Sequence, residues 1–252
     1  MTRTIAIAGK GGTGKTTIAA LLIQLLVKKG VVLAIDADPS SNLHLALGLP
    51  LTSSVGEVRE EMLTAVKGGK FNPGMAKHDY IDLRVHESLV ESSGIDLLAM
   101  GRPEGPGCYC AANNMLRTTI DRLETNYDFV VIDNEAGMEH ISRQTTRDVN
   151  ILLIISDSSM RGVITAIRTR DLIKELRTHV EKVALVLNRT TGQLSSEVQQ
   201  SIAESGLDLI ATFPVDPMVT DLDGKGTALK ELPENSVMKQ GVETLARKLS
   251  LI

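Results

Sequence analysis

The run Gly9-Lys10-Gly11-Gly12-Thr13-Gly14-Lys15-Thr16 constrains this chain more than any other feature. It lies between an apolar stretch, 4–8, that reads as a strand and a stretch, 17–29, that reads as a helix. Strand, glycine turn and helix start in that order match G-x-x-x-x-G-K-[ST], a phosphate cradle. Backbone N–H groups of Gly11, Gly12, Thr13 and Gly14 converge on phosphate oxygens, with Thr17 just inside the helix. Lys15 adds a point charge at the β/γ-phosphates, and the Thr16 hydroxyl suits Mg²⁺.

The same residues satisfy G-x-G-x-x-G through Gly9, Gly11 and Gly14, with Asp36 where a dinucleotide fold keeps its ribose acid. Lys15-Thr16, the second acid Asp38 and a later acid, Asp133, favour the nucleoside triphosphate. A dinucleotide site has no use for that Mg²⁺ apparatus. Asp133 ends the buried run 129–133, a Walker B pattern. Asp36 reads as a water-mediated support for Mg²⁺, or as a cap on the loop after its strand.

Further strands are expected over 31–36, 81–85, 95–100, 149–155, 183–187 and 207–213. Helices are expected over 53–66, 113–124, 164–176, 195–204 and 236–249, with a Gly/Pro loop over 67–77. Continuous Val/Ile/Leu strands separated by helices imply an α/β, doubly wound, mostly parallel P-loop sheet of about seven to eight strands. No repeat or linker divides the chain, so residues 1–252 are expected to form one domain. Ligands of such sheets sit beyond the carboxyl ends of the strands. The motifs fall there.

Composition narrows the partners. A net charge of −4 offers no field for nucleic acid, and 2% aromatic residues give little to stack bases on. No apolar run approaches a bilayer span of roughly 20 residues, and the first residues do not read as a signal peptide. A cytoplasmic protein is expected, bound to neither membrane nor nucleic acid. The last helix, with Val242, Leu245, Ala246 and Leu249, is expected to pack in the core.

Cys108 and Cys110, separated by Tyr109, would make a strained disulfide but supply two soft metal ligands. A closed tetrahedral site needs four. A two-fold axis beside this loop would complete it, for Zn²⁺ or Ni²⁺ bridging two subunits. His78, His86 and His140 are weaker candidates, read as ordinary packing or surface histidines.

The lysine at position 10 gives Lys10-Gly11-Gly12-Thr13-Gly14-Lys15-Thr16, which resembles the deviant Walker A signature of the MinD/ParA/nitrogenase iron protein group. The resemblance implies an ATPase that forms a homodimer on ATP, with Lys10 reaching the partner's nucleotide. It also implies that Asp38 orients the attacking water and that Gly137, in Asp133-Asn134-Glu135-Ala136-Gly137, meets the γ-phosphate. Asn188 would read the adenine, framed by Pro214 and Asp216. Together with Asp133-x-x-Ala136-Gly137-x-Glu139-His140 and Gly107-Cys108-Tyr109-Cys110, the loop resembles the CooC/AcsF family. That family matures carbon monoxide dehydrogenase and acetyl-CoA synthase with nickel. The resemblance spans essentially the whole chain and implies ATP/ADP, Mg²⁺, an intersubunit metal and one of those apo-enzymes as client. A MinD/ParA-type spatial organiser is the alternative. A cluster-bearing reductase fits less well, because its cysteines come from two separated loops.

Overall fold

The computed structural model describes residues 2–69, 74, 76–102, 118–135, 148–175 and 179–252. Among these, eight strands form one sheet in the order β3-β4-β2-β5-β1-β6-β7-β8. The strands are β1 (Arg3–Gly9), β2 (Val32–Ala37), β3 (Val90–Ser92), β4 (Ile95–Ala99), β5 (Phe129–Asn134), β6 (Asp148–Ser156), β7 (His179–Thr190) and β8 (Asp208–Pro214). All pairs are parallel except the short edge pair β3–β4. The α/β parallel sheet read from the sequence is present. Every residue of β2 and of β5 is buried, as expected of strands covered on both faces.

The helices are α1 (Lys15–Leu26), α2 (Leu43–Leu47), α3 (Val55–Lys67), α4 (Lys77–Ser88), α5 (118–124), α6 (Met160–Glu175), α7 (Ser196–Ser205), α8 (Pro217–Lys225) and α9 (Val237–Lys248). One apolar layer joins α1 and α9 to one face of the sheet, through Ile18, Leu22, Val242 and Leu245. The other face packs Val55 and Met62 of α3, Ile81 and Val85 of α4, and Val163 of α6.

The expected strand over 81–85 is a correction. These residues lie inside α4. The alternation Ile81, Leu83, Val85 fits a period of two, but Ile81 and Val85 are also four apart and share a helix face. Leu83 distinguishes the two: it is 49% exposed while both neighbours are buried, the pattern of a helix. Helices α2 and α8 were not expected. Both are short, and their N-termini are held by acids from the strand ends, described below.

The C-terminal helix starts on Ser236, whose side chain accepts the Lys239 N–H. Val242, Leu245 and Ala246 are buried in the layer shared with α1, as expected. Leu245→Ala removes a fully buried side chain. Urea unfolding of this variant is expected to lose about 2–4 kcal/mol relative to the unaltered chain.

Candidate functional site

The carboxyl ends of β1, β2, β5, β6, β7 and β8 meet along one edge. Gly9 pairs with Ile155, Ile7 with Asp133, and Asp36 with Asp133 across adjacent strands. A Cβ on Gly9 would stand 2.0 Å from the Ile155 carbonyl oxygen, so only glycine lets β1 leave the sheet there. Gly14 caps α1 in the left-handed conformation, and a Cβ on it would meet Asn188 Nδ2 at 2.4 Å.

The loop is folded around its own backbone. The Lys10 carbonyl accepts from the Thr13 hydroxyl at 2.8 Å and from Lys15 Nζ at 3.4 Å. Lys15 is thereby buried with its ammonium inside the cradle. Lys10 itself is half exposed, and its Nζ lies 3.9 Å from Asp157 at the end of β6.

Three acids gather beside the loop. Asp133 Oδ2 accepts the Thr16 hydroxyl at 2.6 Å, while its buried Oδ1 has no hydrogen-bond partner among the described residues. Burial pushes the Asp133 carboxyl up to about 7, with Thr16 opposing and the Asp36 charge adding to the rise. Asp36 is equally buried. Burial lifts it to about 6, against backbone donors from Leu43 at 2.8 Å and Asp38 at 3.1 Å. Asp36 therefore holds the loop and the start of α2, with both carboxylate oxygens engaged. Asp38 is partly exposed and takes the Ser40 N–H on Oδ1 at 2.8 Å.

A hydroxyl, a buried carboxylate with an open oxygen and a neighbouring acid form the hard-oxygen donor set that suits Mg²⁺. The structure therefore brings together Thr16, Asp133 and Asp36, the residues expected to serve that ion.

A small pocket opens beside Gly14 and Thr17, walled by Asn188, Pro214 and Asp216. Asn188 Nδ2 donates to the Thr13 carbonyl at 2.8 Å, and its Oδ1 accepts the Arg189 N–H at 2.9 Å. Asn188 thus braces the phosphate loop. Asp216 works as a brace. Its Oδ1 accepts Met218 N–H, and its Oδ2 accepts the Ser236 hydroxyl at 2.6 Å and Met238 N–H at 3.0 Å. Burial raises its carboxyl, but those donors hold it below the ordinary carboxylate value. It ties α8 to α9 and so shapes the wall. Arg189, Val215 and Asp223 also line the pocket and were not singled out from sequence. Arg189 carries a positive φ of 56°, which no spacing signal reveals.

Cys108, Cys110, Gly137 and His140 lie outside the described residues. Among the described residues no group of three or more His, Cys, Asp or Glu side chains is placed to hold a metal. His78 is half exposed beside Asp82 and Arg122, and His86 bonds the Asp82 carbonyl on the same helix. Among the described residues no helix is long and apolar enough to cross a membrane.

Comparison with known proteins matches residues 4–229 to the CobQ/CobB/MinD/ParA nucleotide binding domain. An uncharacterised ATP-binding protein of Methanocaldococcus jannaschii is 44% identical over 97% of each chain. The carbon monoxide dehydrogenase accessory protein CooC of Rhodospirillum rubrum is 30% identical over 90% of this chain and 89% of its own. Among solved structures, the septum site-determining protein MinD with Mg-ADP from Pyrococcus horikoshii superposes with a TM-score of 0.69. It is 21% identical, over 99% of this chain and 96% of its own.

The buried acid makes a pH prediction. Asp133 binds its proton more tightly folded than unfolded, its value rising from 3.8 to about 7. Its cost to stability is absent at low pH, grows as pH rises from about 4, and is complete above about 7. Asp133→Asn cannot ionise. The nucleotide-free variant is expected to melt higher than the unaltered chain at pH 8, by at most on the order of 4 kcal/mol. The difference should vanish near pH 4 in melting curves taken across that range.

Proposed function

The chain belongs to the CobQ/CobB/MinD/ParA nucleotide-binding family and is an ATPase, and from that premise we propose that it couples ATP hydrolysis to nickel delivery. The client is apo carbon monoxide dehydrogenase or acetyl-CoA synthase. The observation carrying this reading is the Cys108-x-Cys110 pair in a chain with a deviant phosphate loop and 30% identity to CooC.

In this reading the loop N–H groups from Gly11 to Thr16 and the Lys15 ammonium hold the triphosphate. Thr16 and Asp133 would hold Mg²⁺, supported by Asp36. Bound there, the ion would neutralise charge between the β- and γ-phosphates. Asp38, partly exposed and fixed by Ser40, orients the attacking water. Gly137 supplies an N–H toward the γ-phosphate. Asn188 and the backbone at Pro214 frame the adenine, and Asp216 keeps that wall in place.

Lys10 acts in the partner's site when two copies meet on ATP. A cation delivered across an interface stabilises charge on the transferring phosphoryl group. Its exposure and its long, weak contact with Asp157 leave it available for that step. The same two-fold axis brings two thiol pairs together, and nickel or zinc is the cargo they bind. Coupling between nucleotide and metal is reciprocal.

The second reading is a spatial organiser of the MinD/ParA type, which the likeness to MinD favours at the level of fold. A membrane-seeking C-terminal helix would need its apolar face free. Here Met238, Val242 and Leu245 are buried in the core.

Two measurements test the proposal. Lys10→Ala is expected to lower kcat by about 10³-fold with less than about tenfold change in Mg·ATP affinity, read by steady-state kinetics and nucleotide titration. Anaerobic titration of Ni²⁺ and Zn²⁺ should give one site per dimer, with affinity differing between ADP and ATP. A Cys108→Ala/Cys110→Ala protein that binds the metal unchanged would sink the metal role.

A further inference from the structure

Arg59 of α3 is 2% exposed, a buried guanidinium that the phosphate chemistry does not use. Burying a charge is costly unless its donors find partners. Its Nη2 donates to the Arg102 carbonyl at 3.3 Å and to Glu60 Oε1 at 3.2 Å. One turn earlier, the Gly56 N–H donates to the Met100 carbonyl at 3.0 Å. The fit is close: a Cβ on Gly56 would lie 2.7 Å from the Arg102 carbonyl oxygen. Gly101, at φ +64°, would bring a Cβ within 2.5 Å of Ser54 Oγ, the N-cap of the same helix. Helix α3 thus grips residues 100–102 from one side.

Asp36 grips them from the other. The Met100 N–H donates to the Asp36 carbonyl at 2.8 Å, one rung beyond the Asp36–Ala99 pair of the β2–β4 ladder. The Asp36 side chain meanwhile holds the backbone of Asp38 and of Leu43. One residue therefore bonds the nucleotide-facing loop through its carboxylate and residues 100–102 through its main chain. Beside the clamp runs a groove of about 830 Å³ between Pro39, Ser41 and Arg102.

We propose that Asp36 carries nucleotide state from the Asp38 loop to residues 100–102, and that Arg59 and Gly56 are positioning residues that hold that segment against it. In sequence, Arg102 lies six residues before Cys108. The route up to Arg102 depends only on nucleotide binding. Its consequence for the thiols rests on the metal reading above. Discrete hydrogen-bonded contacts between packed elements are the kind of link that can shift as a unit.

Amide hydrogen exchange on the full chain tests this, with and without a non-hydrolysable ATP analogue and Mg²⁺. In the unaltered chain, the analogue is expected to slow exchange both at 36–43 and at 97–102, by about tenfold or more. In Arg59→Met, slowing at 36–43 should persist while that at 97–102 falls below about twofold. Arg59→Lys, which keeps a donor and a charge, should recover part of it and serves if Arg59→Met melts too low. Basal ATP hydrolysis should stay within about threefold in both. No response at 97–102 in the unaltered chain, or an undiminished one in both variants, overturns the proposal. Zn²⁺ affinity measured in parallel separates the two readings. If exchange responds as expected while Zn²⁺ affinity ignores nucleotide, the clamp stands and the metal reading falls.

Discussion

Three carboxylates, Asp36, Asp38 and Asp133, stand together at the ends of two neighbouring parallel strands, and the burial of two of them sets terms for the whole edge. Two of them are buried and pushed up to about 6 and about 7. Buried carboxyls of that kind cost stability, and perturbed acids cluster at functional sites. The remaining hydrogen bonds of the site can be understood as measures to hold it. Thr16 satisfies one oxygen of Asp133, and the backbone of the loop and of α2 satisfies Asp36. The loop that carries Asp38 is therefore tied to the strand beneath it through a single side chain.

The phosphate loop is secured independently. Asn188, from a strand two places away from β1, holds the Thr13 carbonyl, and only a glycine at position 14 leaves room for that amide. The pocket beside Gly14 and the phosphate cradle thereby share one residue. Asp216 plays the matching part on the far wall, where three donors from α8 and α9 converge on one carboxylate. The family resemblance put it in a loop framing the adenine, and its hydrogen bonds show it bracing the wall of the pocket there.

Much of the fold was legible because the strands are long, apolar and separated by helices, which leaves little choice but a parallel sheet. The misread stretch was the one where two periods coincide. Ile81 and Val85 fit a strand and a helix equally, and only the exposure of Leu83 separates them. Helices α2 and α8 escaped notice because each is short and starts on an acid supplied by a strand end. The acids that receive their first N–H groups, Asp36 and Asp216, have obvious alternative uses in a nucleotide site.

The sequence alone determined the phosphate cradle, since its glycines, lysine and threonine act through their local backbone and through adjacency in the chain. It likewise determined the thiol pair and Lys10, whose chemistry is intrinsic to the residue. Tertiary structure decided which acids bear on which backbone. It set Asp36 to hold the loop, Asp133 to face Thr16 across 117 positions of chain, and Arg59 to meet Arg102. Those pairings depend on which strands lie side by side and on what water is excluded, and neither is encoded within any short stretch of residues.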